Sequence, residues 1–273
     1  MCKIAQSPAD CERLLCTNVH SMQGGTSELT GRRALITGGG SGIGEACARA
    51  LAGRGAHVVV ADVDAAAAER VAAELDGEAW VVDLTDTPRL EGMRLDADIL
   101  VNNAGIQTVA PIEQFDPERF RLMLDLMLVA PFLLIRAALP EMYARGWGRI
   151  VNVSSVHGIR ASAYKSAYVT AKHGLEGLSK VTALEGAAHG VTSNCVDPGY
   201  VRTPLVEKQI ADQARVHGIP ESEVVEKIML TEAAVKRLLE PAEVADLVAW
   251  LCGPTSGMAT GASWVLDGGW SAR

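Results

Sequence analysis

The stretch Thr37 to Gly44 reads TGGGSGIG and lies between a short apolar run, Ala34–Thr37, and a helix-like stretch, Ile43–Ala52. Glycine permits a tight backbone turn and a close approach to a bound phosphate. The start of the following helix offers free amides and the positive end of a dipole. A glycine cluster alone could be a flexible turn, but one placed between a strand and a helix favours dinucleotide binding.

Outward from this turn, short β-branched runs alternate with longer helical stretches, which is typical of a parallel sheet with helices on both faces. The predicted strands are Ala34–Thr37, His57–Asp62, Ala79–Asp83, Asp98–Asn102, Arg149–Ser154, Val191–Val196 and Ser263–Leu266. The predicted helices are Ile43–Ala52, Ala65–Leu75, Pro117–Tyr143, Ser166–Ala187 and Pro241–Leu251. The sequence therefore predicts one α/β domain, residues 30–273, of the doubly wound Rossmann type with a seven-stranded parallel sheet.

Two segments lie outside this alternation. Residues 1–29 mix polar residues, cysteines and a Gly-Gly without a period or the layout of a signal peptide, and we predict an unstructured N-terminal extension. Residues 205–239 have helical character but are longer than a simple crossover. Insertions beside strand ends often form lids, so we predict a helical substrate lid, although a surface helical pair without a role would have the same composition.

Composition limits the class of protein. A chain of 273 residues can bury a core as one domain. No uncharged apolar run reaches the roughly 20 residues that span a bilayer. A net charge of −8 without a basic run argues against nucleic acid or an anionic membrane as a partner. The six cysteines show neither a disulfide framework nor metal-binding spacing, so we expect reduced thiols, a cytoplasmic location and no metal site.

A second informative stretch, Val153 to Lys172, reads VSSVHGIRASAYKSAYVTAK. Tyr168 and Lys172 are four residues apart and therefore share one face of a predicted helix. An ammonium group beside a phenol favours the phenolate, so Lys172 could make Tyr168 a general acid/base. Ser155 follows a predicted strand, where a loop can bring its hydroxyl to the same centre. Taken alone, a solvated helix face with an incidental Tyr/Lys pair is the commoner explanation, and the rest of the chain is what favours catalysis.

The pattern Gly-x-x-x-Gly-x-Gly and the spacing Ser-x12-Tyr-x-x-x-Lys resemble the short-chain dehydrogenase/reductase family. The resemblance runs from Gly31 to Trp270 and implies that Ser155, Tyr168 and Lys172 form the catalytic group of a nicotinamide-dependent oxidoreductase. It also implies a homotetramer. The cofactor contacts that it implies are Gly38, Ser41, Gly42, Ile43, Gly44, Asp83, Leu84, Asn103, Ala104, Gly105, Tyr168, Lys172, Pro198, Gly199, Val201 and Thr203.

Asp62 ends the second predicted strand, roughly 20 residues beyond the glycines, where an acid can accept both hydrogen bonds of an adenosine ribose diol. It would repel the 2′-phosphate of NADP. No basic residue follows at Val63 or Asp64, so the sequence favours NAD as the cofactor. Capping of the next helix fits Asp64 better than Asp62.

Residues that the general family does not require surround the catalytic group. Four of them can donate hydrogen bonds to a carboxylate: Gln107, His157, Lys165 and Gln209. Each has an ordinary explanation singly, but together they predict a pocket for a small carboxylate substrate. The strings NAGIQ, SVHG, ASAYKSAYVTAKHG, TPLVEKQI and DGGW resemble the bacterial (R)-3-hydroxybutyrate dehydrogenases of this family. This narrower resemblance implies oxidation of (R)-3-hydroxybutyrate to acetoacetate and adds Trp270 to the expected substrate contacts.

Two positions depart from the family pattern. Met127 stands where the family usually has an asparagine that holds a water linking the lysine to solvent, and Tyr200 stands where the hydroxybutyrate enzymes usually carry tryptophan. Pro131 lacks the N–H that would bond the Met127 carbonyl, so this carbonyl could accept from such a water in a kinked helix. The alternative is that Met127 packs in the core and Pro131 only bends the helix.

Two other functions remain open at this point. One is a reductase of 3-oxoacyl thioesters on the same scaffold, which would need an open channel for a carrier. The other is a non-catalytic NAD-binding regulatory protein, for which Met127 is the support.

Overall fold

The structure, a computed structural model, describes residues 28–272, so residues 1–27 of the expected extension lie outside the described residues. A seven-stranded, fully parallel sheet runs in the order β3-β2-β1-β4-β5-β6-β7. Its strands are β1 Arg33–Thr37, β2 His57–Asp62, β3 Glu78–Val81, β4 Ile99–Asn102, β5 Gly148–Val153, β6 Val191–Pro198 and β7 Ser263–Leu266. The prediction of a single Rossmann-type domain is confirmed, with all seven strands within three residues of their expected bounds.

Helices cover both faces of the sheet, and the central strands β4, β5 and β6 are buried at every residue, as is usual for parallel sheets. The helices are α1 Gly42–Gly53, α2 Ala65–Glu74, α3 Thr87–Leu90, α4 Pro117–Leu124, α5 Ala130–Arg145, α6 Ser166–Gly186, α7 Pro204–His217, α8 Glu221–Val224 and α9 Pro241–Cys252. Buried residues of α1, α2 and α9 form the core on one face. Buried residues of α5 form the core on the other face, where α6 also contributes.

The helix predicted over Pro117–Tyr143 is divided. A π-helical turn, Asp125–Val129, separates α4 from α5, and the Ala130 N–H donates across it to the carbonyl of Asp125. Pro131 follows directly and has no N–H to continue the α-helical ladder. Over residues 28–272, the segment Pro117–Arg145 is long and apolar enough to cross a membrane, but half of its apolar window is buried inside the protein, as in a core helix.

The folded part begins before residue 30. Leu29 is only 1% exposed and packs in the core formed by α1, α2 and α9. Its N–H donates to the carbonyl of Arg54 at 2.9 Å. A single leucine at the end of a polar extension is not part of a repeating pattern of apolar residues, so the sequence offers no reason to assign it to the domain.

The insertion over residues 205–239 is helical, as predicted. It consists of α7, α8 and a second π-helical turn, Val225–Met229. Its own apolar cluster contains Val206, Ala214, Val224 and Met229, with Tyr200 packed against it. The return of the chain pairs Leu239 with Val201 in an isolated bridge, so the insertion is held over the carboxyl end of β6.

Candidate active site

A cavity of about 560 Å³ opens at the carboxyl ends of the strands, where ligands bind in doubly wound sheets. The loops after β1, β2 and β4 line one half of it, and β5, α6 and the inserted helix α7 line the other. Every residue predicted to contact the cofactor lines this cavity except Gly44, which is buried beneath it.

The glycine loop after β1 is shaped for a phosphate group. Gly42 has a φ of +55°, which L side chains rarely adopt, and a Cβ on Gly44 would lie 2.0 Å from the carbonyl oxygen of Gly38. Helix α1 begins at Gly42, and the side chain of Ser41 makes no capping hydrogen bond. The first amides of α1 are therefore left for a ligand, so these residues fit the pyrophosphate of a dinucleotide.

The loops after β1 and β4 are locked together. Thr37 Oγ1 accepts from the N–H groups of Asn103 at 2.9 Å and Ala104 at 3.1 Å. Asn103 Nδ2 in turn donates to the carbonyls of Thr37 at 2.9 Å and Gly38 at 3.2 Å. The NNAG motif thus fixes the floor of the cofactor half of the cavity.

Asp62 lies at the end of β2 and lines the cavity. Its Oδ2 accepts from the Gly40 N–H at 2.9 Å and its Oδ1 from the Asp64 N–H at 3.0 Å. A carboxylate oxygen can accept more than one hydrogen bond, so both oxygens remain able to accept from a ribose diol. The Asp64 side chain accepts from the Ala67 N–H and caps α2, as the sequence suggested.

Ser155, Tyr168 and Lys172 meet in the other half of the cavity. Lys172 is 4% exposed, its Nζ donates to the carbonyl of Val153 at 2.7 Å, and it lies 5.6 Å from the centroid of the Tyr168 ring. Burial lowers the pKa of Lys172 to about 8. Burial also raises the pKa of Tyr168 to about 12, against a hydrogen bond with Ser155 that lowers it. The structure therefore brings the three groups together. Desolvation of the phenolate nevertheless raises the pKa of Tyr168, whereas the sequence predicted that Lys172 would lower it.

Lys165 is a buried cation beside these groups. It is 3% exposed, and its Nζ donates to the hydroxyl of Tyr200 at 2.8 Å. Burial lowers the pKa of Lys165 to about 8. Among the residues described, no carboxylate forms a salt bridge with it.

His157 lies between Ser155 and Ser162. Its Nε2 is 3.0 Å from Ser162 Oγ and its Nδ1 is 3.4 Å from Ser155 Oγ. Burial, together with the neighbouring charge of Lys165, holds the pKa of His157 well below its usual value. His157 is therefore a neutral hydrogen-bonding group near neutral pH rather than a second cation.

The two predicted glutamines also line the cavity. Gln209 Nε2 donates to the carbonyl of Leu205 at 3.2 Å, and its buried Oε1 has no hydrogen-bond partner within the described part of the chain. Gln107 Oε1 accepts from the Thr108 N–H at 3.1 Å, which leaves its amide group to donate.

Trp270 does not reach the main cavity. It lines an adjoining cavity of about 220 Å³, shared with His157 and Tyr200, and its ring lies 5.5 Å from that of His157. Trp270 thus lies against a residue that lines both cavities, and its contact with the substrate stays a prediction. Trp270 follows the C-terminal strand β7, whose position in the sheet determines where the ring lies. No local sequence pattern predicts that position.

Tyr200 and Arg119 are among the residues of the cavity wall that sequence reasoning did not assign to the site. The hydroxyl of Tyr200 is the partner of Lys165, whereas the sequence marked Tyr200 only as a departure from the usual tryptophan. Arg119, on α4, lines the cavity and donates from Nε to Thr108 Oγ1 at 3.0 Å. An arginine on an exposed-looking helical stretch carries no signal until the packing of that helix is known.

Met127 is fully buried in the π-helical turn. It packs with Met123, Ala167 and Ala171, and Tyr168 lies against the same cluster. A Cβ on Gly105 would lie 3.4 Å from the Met127 sulfur. The side chain therefore supports both the cofactor loop and the helix that carries the tyrosine, as the packing alternative supposed.

A family model described as short chain dehydrogenase matches residues 32–214. The chain belongs to this family. It is therefore an oxidoreductase, and the family's glycine loop, NNAG motif and Ser-Tyr-Lys group are the features that line the cavity described above.

Two curated relatives are similar over nearly the whole chain. A D-beta-hydroxybutyrate dehydrogenase of Cupriavidus necator is 44% identical over 90% of this chain and 100% of its own length. A second enzyme of that name, from Rhizobium meliloti, is 43% identical over 89% of this chain and 99% of its own. A solved Beutenbergia cavernae structure with NADP bound at low occupancy is 33% identical, covers 91% of this chain and 100% of its own, and has a TM-score of 0.79. Members of the family thus bind NAD(P).

Proposed function

We propose that the protein catalyses the reversible, NAD-dependent oxidation of (R)-3-hydroxybutyrate to acetoacetate. The observation that carries the proposal is Lys165, a buried cation in the substrate half of the cavity. A buried charge is costly without an opposite charge. A carboxylate substrate would supply that charge, while His157, Gln107 and Gln209 supply hydrogen bonds. The two relatives named D-beta-hydroxybutyrate dehydrogenase support the same substrate.

The chemistry follows from the residues at the other end of the substrate. When bound, the nicotinamide cofactor supplies the hydride acceptor. The C3–H bond breaks with its electron pair leaving as hydride, and the hydroxyl proton passes to the Tyr168 oxygen as the C3 carbonyl forms. Ser155 donates a hydrogen bond to the carbonyl oxygen. Lys172 stabilises the phenolate form of Tyr168, which burial alone disfavours.

The choice of NAD over NADP rests on Asp62. A carboxylate at the end of β2 accepts from a ribose diol and repels a 2′-phosphate. Arg70, a cation close to this loop, donates to the Gly40 carbonyl and is paired with Glu45 and Glu74. These pairings favour a structural role for Arg70 over recognition of a phosphate.

The two rival functions fit the cavity less well. A 3-oxoacyl thioester has no free carboxylate near its carbonyl, so Lys165 would remain buried without an opposite charge. A non-catalytic NAD-binding protein would have no need for Ser155, Tyr168 and Lys172 to line the same cavity as Lys165.

We also propose a homotetramer. Large apolar side chains are exposed on two separate parts of the surface, with Phe132, Val181 and Leu184 on α5 and α6, and Trp250 and Val265 on α9 and β7. Two self-complementary faces are what a tetramer built from dimers requires. Analytical ultracentrifugation of the purified protein tests this, and a monomer at micromolar concentration would contradict it.

Absorbance at 340 nm with NAD and a panel of secondary alcohols tests the reaction. The panel contains both enantiomers of 3-hydroxybutyrate, methyl (R)-3-hydroxybutyrate and 2-butanol, and the Tyr168→Phe variant is the control for background reduction of NAD. We expect the (R)-acid to be oxidised with the highest kcat/KM and the variant to be inactive. Equal kcat/KM for the acid and its methyl ester would refute the carboxylate pocket.

A further inference from the structure

Two buried carboxyl groups lie behind the catalytic lysine. Asp197 is 0% exposed near the end of β6, and Glu176 is 4% exposed on α6, one helical turn after Lys172. Within residues 28–272, both oxygens of Asp197 and Oε1 of Glu176 are buried without a hydrogen bond of normal geometry, and the Ser154 hydroxyl is the neighbouring donor that lowers the pKa of Asp197. Buried acceptors without donors are rare in folded proteins, so this arrangement calls for a physical account.

The two carboxyl groups are close enough to affect each other's charge. Burial raises the pKa of Asp197 strongly, and the next cause is the Glu176 carboxyl, which is within hydrogen-bonding reach. Ser263 Oγ donates to the other oxygen of Glu176 at 2.6 Å. Two adjacent carboxylates cannot both be ionised in a water-excluded site, whereas one proton between them pairs Oε1 of Glu176 with one oxygen of Asp197. The second oxygen of Asp197 is left to the hydroxyl of Ser154, whose hydrogen bond lowers the pKa of Asp197.

The elements packed around the pair supply one cation. Helix α6 contributes Lys172, whose pKa Asp197 and Glu176 raise against the lowering by burial. Strand β6 contributes Cys195, a thiol that burial keeps neutral by raising its pKa. Strands β5 and β7 contribute only hydroxyl groups, Ser154 and Ser263. Gly158 closes the remaining side, since a Cβ there would lie 2.5 Å from Ser154 Oγ and 3.0 Å from Glu176 Oε1.

With Lys172 protonated, a charge count over this cluster gives one neutral state. With both carboxylates ionised, the buried cluster would carry a net negative charge, and with both protonated, Lys172 would be a buried cation without an opposite charge. One shared proton leaves one negative charge against one positive charge. Neutrality is the arrangement that a low-dielectric interior favours.

We propose that Asp197 and Glu176 share one proton and together carry the single negative charge that keeps Lys172 protonated, so that both are positioning residues of the hydride-transfer reaction. They touch neither substrate nor cofactor in this arrangement and act through Lys172. A protonated Lys172 in turn stabilises the phenolate of Tyr168. The proposal rests on the roles of Tyr168 and Lys172 given above but not on which hydroxy acid is oxidised.

The test is the acid limb of the pH profile of kcat/KM for oxidation, measured with whichever alcohol of the panel is turned over. Glu176→Gln and Asp197→Asn each leave one carboxylate opposite Lys172, so each should move the limb by less than about half a pH unit. The double amide variant removes the single negative charge of the pair. Lys172 should then lose its proton, and Tyr168 should ionise only at higher pH. The acid limb should therefore move up by about one pH unit or more, which lowers kcat/KM about tenfold at a pH below the limb.

Asp98→Asn is the matched control, because Asp98 is also a buried carboxylate, 5% exposed, but it pairs with Arg32 and Arg145 at the opposite end of the sheet. Its acid limb should stay in place. A double amide variant whose limb also stays in place would overturn the proposal, as would a single variant that shifts the limb as far as the double variant does.

A measurement on the unmutated protein covers the case in which the double variant does not fold or no alcohol of the panel is oxidised. Carbon-13 NMR of the protein labelled at aspartate and glutamate carboxyl groups should show one buried carboxyl that still holds a proton at pH 7. If all carboxyl signals have titrated below pH 5, the shared proton does not exist. This outcome is independent of the substrate, so it separates failure of this inference from failure of the proposed function.

Discussion

Replacing Lys165 with methionine removes the ammonium group but keeps an unbranched side chain of similar length in the cavity. Lys165 is 3% exposed, and its hydrogen bond goes to the hydroxyl of Tyr200 rather than to a carboxylate. The variant should therefore fold, since no buried anion of the protein loses its partner. A charge-assisted hydrogen bond to a substrate carboxylate contributes about 1.5 to 3 kcal/mol, so kcat/KM for (R)-3-hydroxybutyrate should fall about 10- to 150-fold. Most of the loss should be in KM, because the carboxylate is remote from the reacting carbon.

The pH dependence gives a second, independent readout. Burial lowers the pKa of Lys165 to about 8 in the free protein, and kcat/KM reports the free enzyme. The ammonium is present below that pH and is lost as the pH rises through it, so the preference for the carboxylate substrate should weaken above about pH 8. Lys172, with a pKa also lowered to about 8, affects every substrate alike. The ratio of kcat/KM for the acid to that for its methyl ester isolates Lys165, because the contribution of Lys172 cancels.

Steady-state assays at 340 nm with both substrates measure this ratio. In the unmutated protein it should be largest below pH 8 and fall above it, and in Lys165→Met it should be small at every pH. Lys180→Met, the same change at an exposed position of α6, is the control and should behave as the unmutated protein does. A Lys165→Met variant that still prefers the acid to the ester by the original factor would refute the assignment of Lys165.

Asp62→Ala should lower the preference for NAD over NADP about tenfold or more, because hydrogen bonds to a charged acceptor are lost and the repulsion of a 2′-phosphate is removed; equal Michaelis constants for the two cofactors in the unmutated protein would contradict the basis of this prediction. Leu29→Ala should lower the free energy of unfolding by about 2 to 5 kcal/mol in a denaturant titration, since Leu29 is buried in the core, and a loss well below 1 kcal/mol would place residue 29 outside the domain. Pro131→Ala restores an N–H beside the π-helical turn and, if the Met127 carbonyl takes part in a proton relay, should reduce turnover most below neutral pH. Unchanged turnover over the whole pH range would leave only packing roles for Met127 and Pro131.

The sequence predicted the fold because the signals for it are local and periodic. Short apolar strands alternating with helical stretches require a parallel sheet, and Gly42 and Gly44 occupy backbone positions that a side chain would obstruct. The lysine and tyrosine four residues apart share a helix face for the same kind of reason. Helix α6 does begin at Ser166 and does place Tyr168 and Lys172 in one cavity.

The π-helical turn shows where local signals end. The sequence indicated one helix over Pro117–Tyr143 with a kink near Pro131. In the structure a π-helical turn over Asp125–Val129 interrupts the helix instead. Such a turn depends on how Met127 packs against the helix that carries Tyr168. Packing of that kind involves residues far apart in the chain, so its outcome cannot be read from spacing.

The doubly wound sheet, the glycine loop, the acidic end of β2 and the side chains around Tyr168 could all be predicted from the sequence, because each depends on residue type at fixed spacing. The folded structure was needed to find that Tyr200 is the partner of Lys165, that Trp270 lies in the adjoining cavity, and that Asp197 and Glu176 are buried near Lys172. It also decided that burial raises the pKa of Tyr168 and lowers that of Lys172. These properties depend on desolvation and charge pairing, which are set by the groups that surround a side chain in the fold. Those groups come from distant parts of the chain, so the spacing of residues in the sequence does not identify them.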